Sequence, residues 1–427
     1  MDAWQAGDLE VRVDLEGAHR YLKVGAPLRF GRYSEIRTSG HVFHCGPGGA
    51  VRFVQGRGPT WPHPTDWLKR TARGDWVYYS AADYRDLHTL LGEHYLPCLS
   101  YPSNAVLWDE PFAHPAVREA IRAAESLPGR LRGIDVGDAP PPVAGFLARA
   151  AAQDRDRTAA GARRLHEILG DDLPVLPPDA RHVDYDVLPV LVADGCRHRC
   201  RFCSVRSRGE FRVRSEADVA RQIDEVAALV GDDLPNHAGV FLAQHDALGA
   251  GAEALEHAAR RAFELFGLAH SLVGEPHLFL FGSVRSLLEH GEAPFAALER
   301  LPFRSFVNVG MESADADTLA ALGKPVAAAE VAAAFERMLA IDRTYRRVEV
   351  TANFVLGERL PPGHLPALAA LCARTLGGFD ERGTIYLSPL ADEAAGGEDS
   401  RRRLRAAFRS IAPHLRLPAY LYLIQRL

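Results

Sequence analysis

Cys196-Arg197-His198-Arg199-Cys200-Arg201-Phe202-Cys203 sets three thiols at the spacing CxxxCxxC, directly behind the apolar run Val187 to Ala193 and the turn Asp194-Gly195. The run is short, uncharged and bounded by turn residues, the pattern of a strand buried on both faces. Three soft donors therefore converge in the loop at the carboxyl end of a strand, where parallel sheets and barrels carry their chemistry. Three thiolates on one tight loop suffice for three irons of a cubane 4Fe–4S cluster and leave the fourth iron to another ligand. Zinc is the competing reading. Structural zinc takes four protein ligands, usually paired across two loops; no second CxxC occurs in the chain, and His198 as a fourth ligand lies inside the loop itself. Ligand softness and count favour iron–sulfur.

Downstream of this loop strands and helices alternate, which predicts a parallel sheet with right-handed crossovers. The strands read as VLPVLVA, GVFLAQ, LFLFGS, SFVNVG, VEVTANFVLG and TIYLSPL. Ser215 caps a helix running to Val230, with Val219, Ile223, Val226 and Val230 on one face. Further helices are predicted over 252–266, 315–322, 328–340, 365–376 and 399–410. The apolar tail LPAYLYLIQRL either closes the floor of this unit or extends its sheet.

Upstream the pattern is α+β. LEVRVDLEG alternates as a strand, HVFHC and AVRFVQG form a hairpin across Gly46-Pro47-Gly48-Gly49, PTDWLKRT reads as a helical turn after Pro64, and DWVYYS as a strand. Residues 113–125, 142–152 and 157–169 read as helices. Trp61, Trp67, Trp76, Tyr78, Tyr79, Tyr84, Tyr95 and Tyr101 are dense here, as a small core built on large rings requires or, alternatively, as a wall around a polar ligand. GDDLPVLPPDARHVD, rich in proline and polar residues, reads as a linker. The chain thus divides into an α+β region, 1–180, and a catalytic region, 181–427.

A chain of 427 residues has room for both, and a net charge of −5 gives no general attraction to nucleic acid or membrane. No apolar run is long enough to span a bilayer and the first residues carry no signal-peptide pattern, so a cytoplasmic location is expected. Cys45, Cys98 and Cys372 are scattered singly, as structural thiols are, and supply no second cluster.

CxxxCxxC after a first strand, with Phe202 before the last cysteine, resembles the radical S-adenosylmethionine superfamily. The resemblance implies a partial (β/α)6 barrel, preceded here by the smaller α+β region. It also implies a 4Fe–4S cluster on Cys196, Cys200 and Cys203 whose open iron is chelated by S-adenosylmethionine. An electron from the cluster then cleaves the sulfonium to a 5′-deoxyadenosyl radical, which takes a hydrogen atom from substrate. GMESADADTLAALGKP resembles the family's GxES segment, so Glu312 and Ser313 are expected at the ribose or methionine moiety. ANFVLGE looks like the segment backing the adenine, through Val355 and Gly357. Phe202, Gln244, Ser283 and Arg285 complete the expected cofactor set, with Asp246 for the cofactor's ammonium and Arg285 for its carboxylate. His245 is a proton carrier or a plain loop histidine.

Substrate is less legible. No corrin-binding DxHxxG segment occurs, so cobalamin chemistry is not expected. The chain resembles the radical diol dehydratase of aminoglycoside biosynthesis, which implies hydrogen abstraction from a sugar carbinol and loss of the neighbouring oxygen in an antibiotic pathway. Glu210, Asp246 and Tyr386 are the candidate proton-transfer groups. Radical C–H oxidation, epimerisation or rearrangement of another small metabolite is the alternative, and a non-catalytic iron–sulfur or zinc protein the remote one. The arginines at 197, 199, 201, 206, 208, 212 and 214 read as a docking face for a flavodoxin or ferredoxin electron donor, as a site for an acidic substrate, or as a solvated surface.

Overall fold

Alternating side chains near the start of the chain build a sheet whose strands each pair antiparallel with the next: β1 (Ala3–Ala6), β2 (Leu9–Glu16), β3 (Arg32–Arg37), β4 (His41–Cys45), β5 (Val51–Gly56), β6 (Trp67–Arg70), β7 (Trp76–Ser80) and β8 (Leu96–Leu99). The structure is a computed structural model; it describes residues 3–16, 31–80, 90–92, 96–99, 104, 106, 111–171, 173, 175–198, 200, 203, 209–243, 245–373, 382–390 and 396–427. Three helices follow, α1 (Pro115–Arg132), α2 (Pro141–Ala151) and α3 (Arg155–Leu169). The aromatic residues described here are mostly core. Trp67 and Tyr79 cluster with Val42, Phe53 and Val77, and Trp61 and Tyr78 are buried with polar tips satisfied by Asp66, at 3.0 Å to its carbonyl and 2.6 Å to its carboxylate. Tyr84, Tyr95 and Tyr101 lie outside the described residues.

PTDWLKRT is not a helical turn. Trp67–Arg70 is β6, paired on both sides by β5 and β7. Pro64 looked like a helix start, but neighbouring strands on either side offer Trp67 and Leu68 a buried pleat, and tertiary pairing overrides the local signal. The expected linker is no exposed tether either. Leu173, Leu176, Asp179, Ala180 and Val183 are buried, and Pro178–Val183 forms a 3-10 turn.

The second sheet is wholly parallel and runs in sequence order: β9 (Val187–Leu191), then, past a two-stranded ribbon of β10 (Ala193–Asp194) and β11 (Arg212–Val213), β12 (Gly239–Ala243), β13 (His277–Ser283), β14 (Arg304–Glu312), β15 (Val348–Leu356), β16 (Ile385–Pro389) and β17 (Ala419–Leu421). The tail therefore extends the sheet as a seventh strand. Between the strands run α4 (Glu216–Val230), α5 (Ala252–Leu265), α6 (Val284–Glu289), α7 (Ala293–Glu299), α8 (Ala316–Leu322), α9 (Ala328–Thr344), α10 (His364–Cys372) and α11 (Glu398–Ile411). α4 begins at the Ser215 cap and buries Val219, Ile223 and Val226 as its periodicity predicts. At the open edge, buried Gln222 of α4 accepts from the Leu191 amide (3.2 Å) and donates to its carbonyl (3.1 Å), standing in for a neighbouring strand.

The antiparallel sheet abuts the amino ends of β9 and β12. Lys69 of β6 is ion-paired with Asp186 (2.7 Å) and donates to the Asp184 carbonyl (2.7 Å), while Arg52 of β5 pairs with Asp186 (2.9 Å) and Asp233. The 3-10 turn lies on one face of the parallel sheet, where His182 stacks on Phe306 and Asp179 accepts from Thr351 (2.8 Å) and Tyr386 (2.7 Å). The amino half of that face is thereby filled.

Candidate functional site

The cysteine loop begins where β9 ends, and its base is tied. β10 and β11 pair across it, Arg212 (3.0 Å) and Arg214 (2.8 Å) both donate to Asp194, and Gly195 takes φ +74°. Any Cβ at Gly195 would meet the Glu210 carbonyl oxygen at 2.2 Å, so only glycine lets the two ends of the loop approach. Arg214 is thus an internal brace, and Arg212 braces the same carboxylate from the surface. Arg197 is engaged too, by Glu289 (2.7 Å) and the ring of Phe211. Of the described members of the arginine run, Arg197 and Arg214 are largely covered and ion-paired, while Arg212 is paired with Asp194 but 77% exposed; Arg199, Arg201, Arg206 and Arg208 lie outside the described residues.

Cys200 is buried, and Cys196 and Cys203 are half-buried. Burial raises the thiol pKa of Cys196, against a backbone N–H from His198; burial also raises that of Cys200, against the positive charge of Lys324. Each of these two feels the charge of the other thiols of the loop. Among the described residues no three Cys, His, Asp or Glu side chains stand drawn together around one point as a metal ion requires. The donor set nonetheless fits a thiolate-bound cluster. It offers three soft sulfurs on one loop, a buried cation beside them and a buried imidazole, His198, whose two ring nitrogens have no protein partner among the described residues.

That cation is Lys324, which the sequence reading passed over as part of a segment. It is buried, donates to the Gly310 carbonyl (2.8 Å) and pairs with Glu312 (3.3 Å). Burial works against its charge, but Glu312 and the thiols of Cys200 and Cys196 outweigh it and hold its pKa above the ordinary lysine value. Glu312 itself takes φ +65°, after a bulge in the β14–β15 ladder. A left-handed glutamate is strained by about 1–3 kcal/mol, and Gly310 leaves the room it needs, since a Cβ there would meet Glu312 Oε1 at 2.7 Å. The resemblance to the GxES segment pointed to Glu312; the strained backbone and its lysine appear only in three dimensions.

The other candidates separate into groups. Asp246 and Ser283 are brought together, buried, with the Ser283 amide (3.0 Å) and hydroxyl (2.9 Å) both donating to the carboxylate. Ser313 shares a hydrogen bond with His364 (2.8 Å), whose other nitrogen meets the Val355 carbonyl (2.9 Å), so β14, β15 and α10 are tied behind the site. Glu210 and Arg285 line a cleft of about 380 Å³ with Cys196, Arg197, Phe211 and Glu289. Gly357 follows β15. Phe202 and Gln244 lie outside the described residues, and burial lowers the pKa of His245. Tyr386 stands apart. It sits at the second position of β16, buried, with its hydroxyl on Asp179 and Arg181 on its oxygen (3.1 Å). Strand position rather than residue type removes it from the carboxyl ends. Burial, only partly offset by the hydrogen bonds from Tyr386 and Thr351, raises the Asp179 pKa to about 6.

Tyr386, Ser388, Thr351, Asn353 and Val355 share one face by alternation and register. At the carboxyl half of β13 to β16 the positions of that face that are not buried are Phe281, Gly310, Asn353 and Ser388. Gly310 lies opposite Asn353, and Ser388 donates to Asn353 Oδ1 (2.9 Å). These four positions form an accessible strip at the carboxyl half of the strands, one layer above the filled floor. The amide nitrogen of Asn353 and the lone pairs of Ser388 are left to a ligand.

None of the protein-family models and none of the curated proteins matches the chain. Solved structures similar to it include the cobalamin-dependent S-adenosylmethionine radical enzyme OxsB with aqua-cobalamin and S-adenosylmethionine bound, at 14% identity over 44% of this chain and 26% of that one, TM-score 0.34. A radical SAM methyltransferase from Sphaerobacter thermophilus is 18% identical over 55% of this chain and 64% of its own, TM-score 0.37. Streptococcus suis SuiB bound to S-adenosylmethionine is 9% identical over 84% and 72%, TM-score 0.37. The chain spans about a quarter of OxsB and just under two thirds of the methyltransferase. Likenesses this distant carry no argument about chemistry, which rests on the residues above.

Proposed function

We propose that the chain is a radical S-adenosylmethionine enzyme. The observation that carries this reading is the CxxxCxxC loop, tied at its base, at the carboxyl end of the first of seven parallel strands in sequence order. That order is the order of an opened barrel, with residues 1–180 as a separate unit under its floor. In this reading Cys196, Cys200 and Cys203 hold a 4Fe–4S cluster, which with bound S-adenosylmethionine supplies a one-electron reduction and a carbon radical. Glu312 and Lys324, of opposite charge, are suited to the ammonium and carboxylate of an amino-acid moiety. Val355 and Gly357 back the adenine. Asn353 and Ser388 meet the substrate, and the ring of Phe281 shields the strip from water. A flavodoxin- or ferredoxin-type protein supplies electrons.

The finer reading is a small polar substrate, with 1,2-diol dehydration of an aminoglycoside sugar as the first choice. It is supported by the Asn353–Ser388 pair, whose donor and acceptor together match a hydroxyl group. Glu210 on the neighbouring cleft is the more accessible of the proposed bases, since both oxygens of Asp246 are occupied by Ser283.

Anaerobic reconstitution with iron and sulfide, followed by dithionite and S-adenosylmethionine, should release 5′-deoxyadenosine, and the Cys200→Ala protein should release none. Iron-free or zinc-loaded protein would end the proposal. Incubation with aminoglycoside pseudodisaccharides should give a product lighter by one water; unchanged masses would remove the dehydratase reading alone.

A further inference from the structure

His198 is 8% exposed, yet neither Nδ1 nor Nε2 has a hydrogen-bond partner among the described residues. Leaving a buried polar group unpaired costs about 1–3 kcal/mol, and native proteins seldom do so without a reason. A neutral imidazole carries one N–H and therefore needs an acceptor.

The charged neighbours of the ring do not supply it. Lys324, Arg285 and Arg197 act on it electrostatically, but all three are donors only. Asp246 is the one carboxylate that acts on it; it is held by Ser283 and makes no hydrogen bond to either ring nitrogen. The backbone N–H of His198 points at Cys196 Sγ (3.4 Å), so the residue is turned with its main chain toward sulfur. Cys196 and Cys200 stand two positions to either side of it. The group that belongs between these thiols is rich in sulfur acceptors and carries negative charge.

We propose that the imidazole of His198 donates a hydrogen bond to a sulfur of the cluster held by Cys196, Cys200 and Cys203, and so raises the cluster's reduction potential. This rests on the reading of the loop as an iron–sulfur site. A donor aimed at a cluster sulfur stabilises the reduced, more negative state, so its loss makes reduction harder. His198 is a positioning and tuning residue, not a catalytic one.

The test is an EPR-monitored redox titration of reconstituted protein without S-adenosylmethionine. His198→Phe keeps a ring and removes the donor; at a fixed potential its reduced-to-oxidised ratio should fall about tenfold, equivalent to about 59 mV for one electron. His198→Gln, which keeps an N–H, should recover part of that loss. An unchanged midpoint in His198→Phe at equal iron content overturns the proposal and leaves the iron–sulfur reading intact; protein that binds no cluster overturns that reading first. Should His198→Phe fail to load iron, pulsed EPR on the unsubstituted protein with 15N only in histidine rings decides, with His198→Gln as its reference. A weak coupling absent from His198→Gln supports the hydrogen bond. A strong coupling makes His198 an iron ligand, and no coupling makes it packing; both reject the proposal.

Discussion

The two ends of the parallel sheet differ in what most of their polar groups face, although the amino end has its own left-handed residues, Asp184 and Tyr185, and a buried Ser305 hydroxyl without a partner among the described residues. At the amino end Arg52, Lys69, Asp186 and Asp233 are paired across the boundary with the antiparallel sheet, and Asp179 is held by Thr351 and Tyr386. At the carboxyl end His198 has no partner among the described residues, Glu312 sits on a strained backbone, and Asn353 and Ser388 are accessible. Paired charges hold a fold together, whereas accessible polar groups beside a thiol loop can take a ligand. The amino end is therefore the place to look for stability, the carboxyl end for chemistry.

Substitutions at the two ends should part company. The largest effect is expected from Cys200→Ala, which should abolish iron loading and 5′-deoxyadenosine release while shifting the urea midpoint little; a large loss of stability would break the contrast. Lys69→Met should do the reverse. It leaves Arg52 alone to serve both Asp186, which is 18% exposed, and Asp233, at a cost of about 1–3 kcal/mol, read from urea unfolding, with iron per folded protein unchanged.

Asp179 sharpens the comparison through pH. Its pKa is about 6 in the folded chain against an ordinary 3.8, so the folded state holds its proton more tightly. Stability contributed by this group therefore falls as pH rises from 3.8 to about 6 and levels off above. Asp179→Asn has no such dependence. Measured against the parent across that window, the variant should gain stability with rising pH, by up to about 3 kcal/mol at about 1.4 kcal/mol per unit. A pH-independent difference would mean the carboxyl is not desolvated. The smallest effect belongs to Asp194→Ala. Loss of half-exposed ion pairs should change stability by less than about 1 kcal/mol, yet it unties the loop, and iron loss to a chelator should quicken several-fold.

How far the sequence reached depends on the range of the interactions involved. The cysteine loop was legible because its donors are neighbours in the chain, and the six parallel strands because each apolar run carries its own signal. Asp179 was hidden in a supposed linker because its partners, Thr351 and Tyr386, lie 172 and 207 positions away. Lys69 and Asp186 were equally invisible to any local window. PTDWLKRT was misread because Pro64 spoke for a helix and only the adjoining strands spoke against it. Arg214 looked like surface charge because nothing in a linear reading folds it back onto Asp194, whereas Arg212 is indeed at the surface. Tyr386 was chosen for its chemistry, and only register revealed that its hydroxyl lies a layer too low.

The ribbon at the root of the cysteine loop has a consequence for how a metal centre would assemble. The pairing of Asp194 with Arg212 fixes the separation of the two ends of the loop before any iron arrives. The entropy of closing a chain segment depends on its length and rises only logarithmically, so most of the search that brings distant donors together is completed during folding. Capture of a first iron by one thiol would then leave the other two at a high effective concentration, and later atoms would add within a confined volume rather than from an open chain.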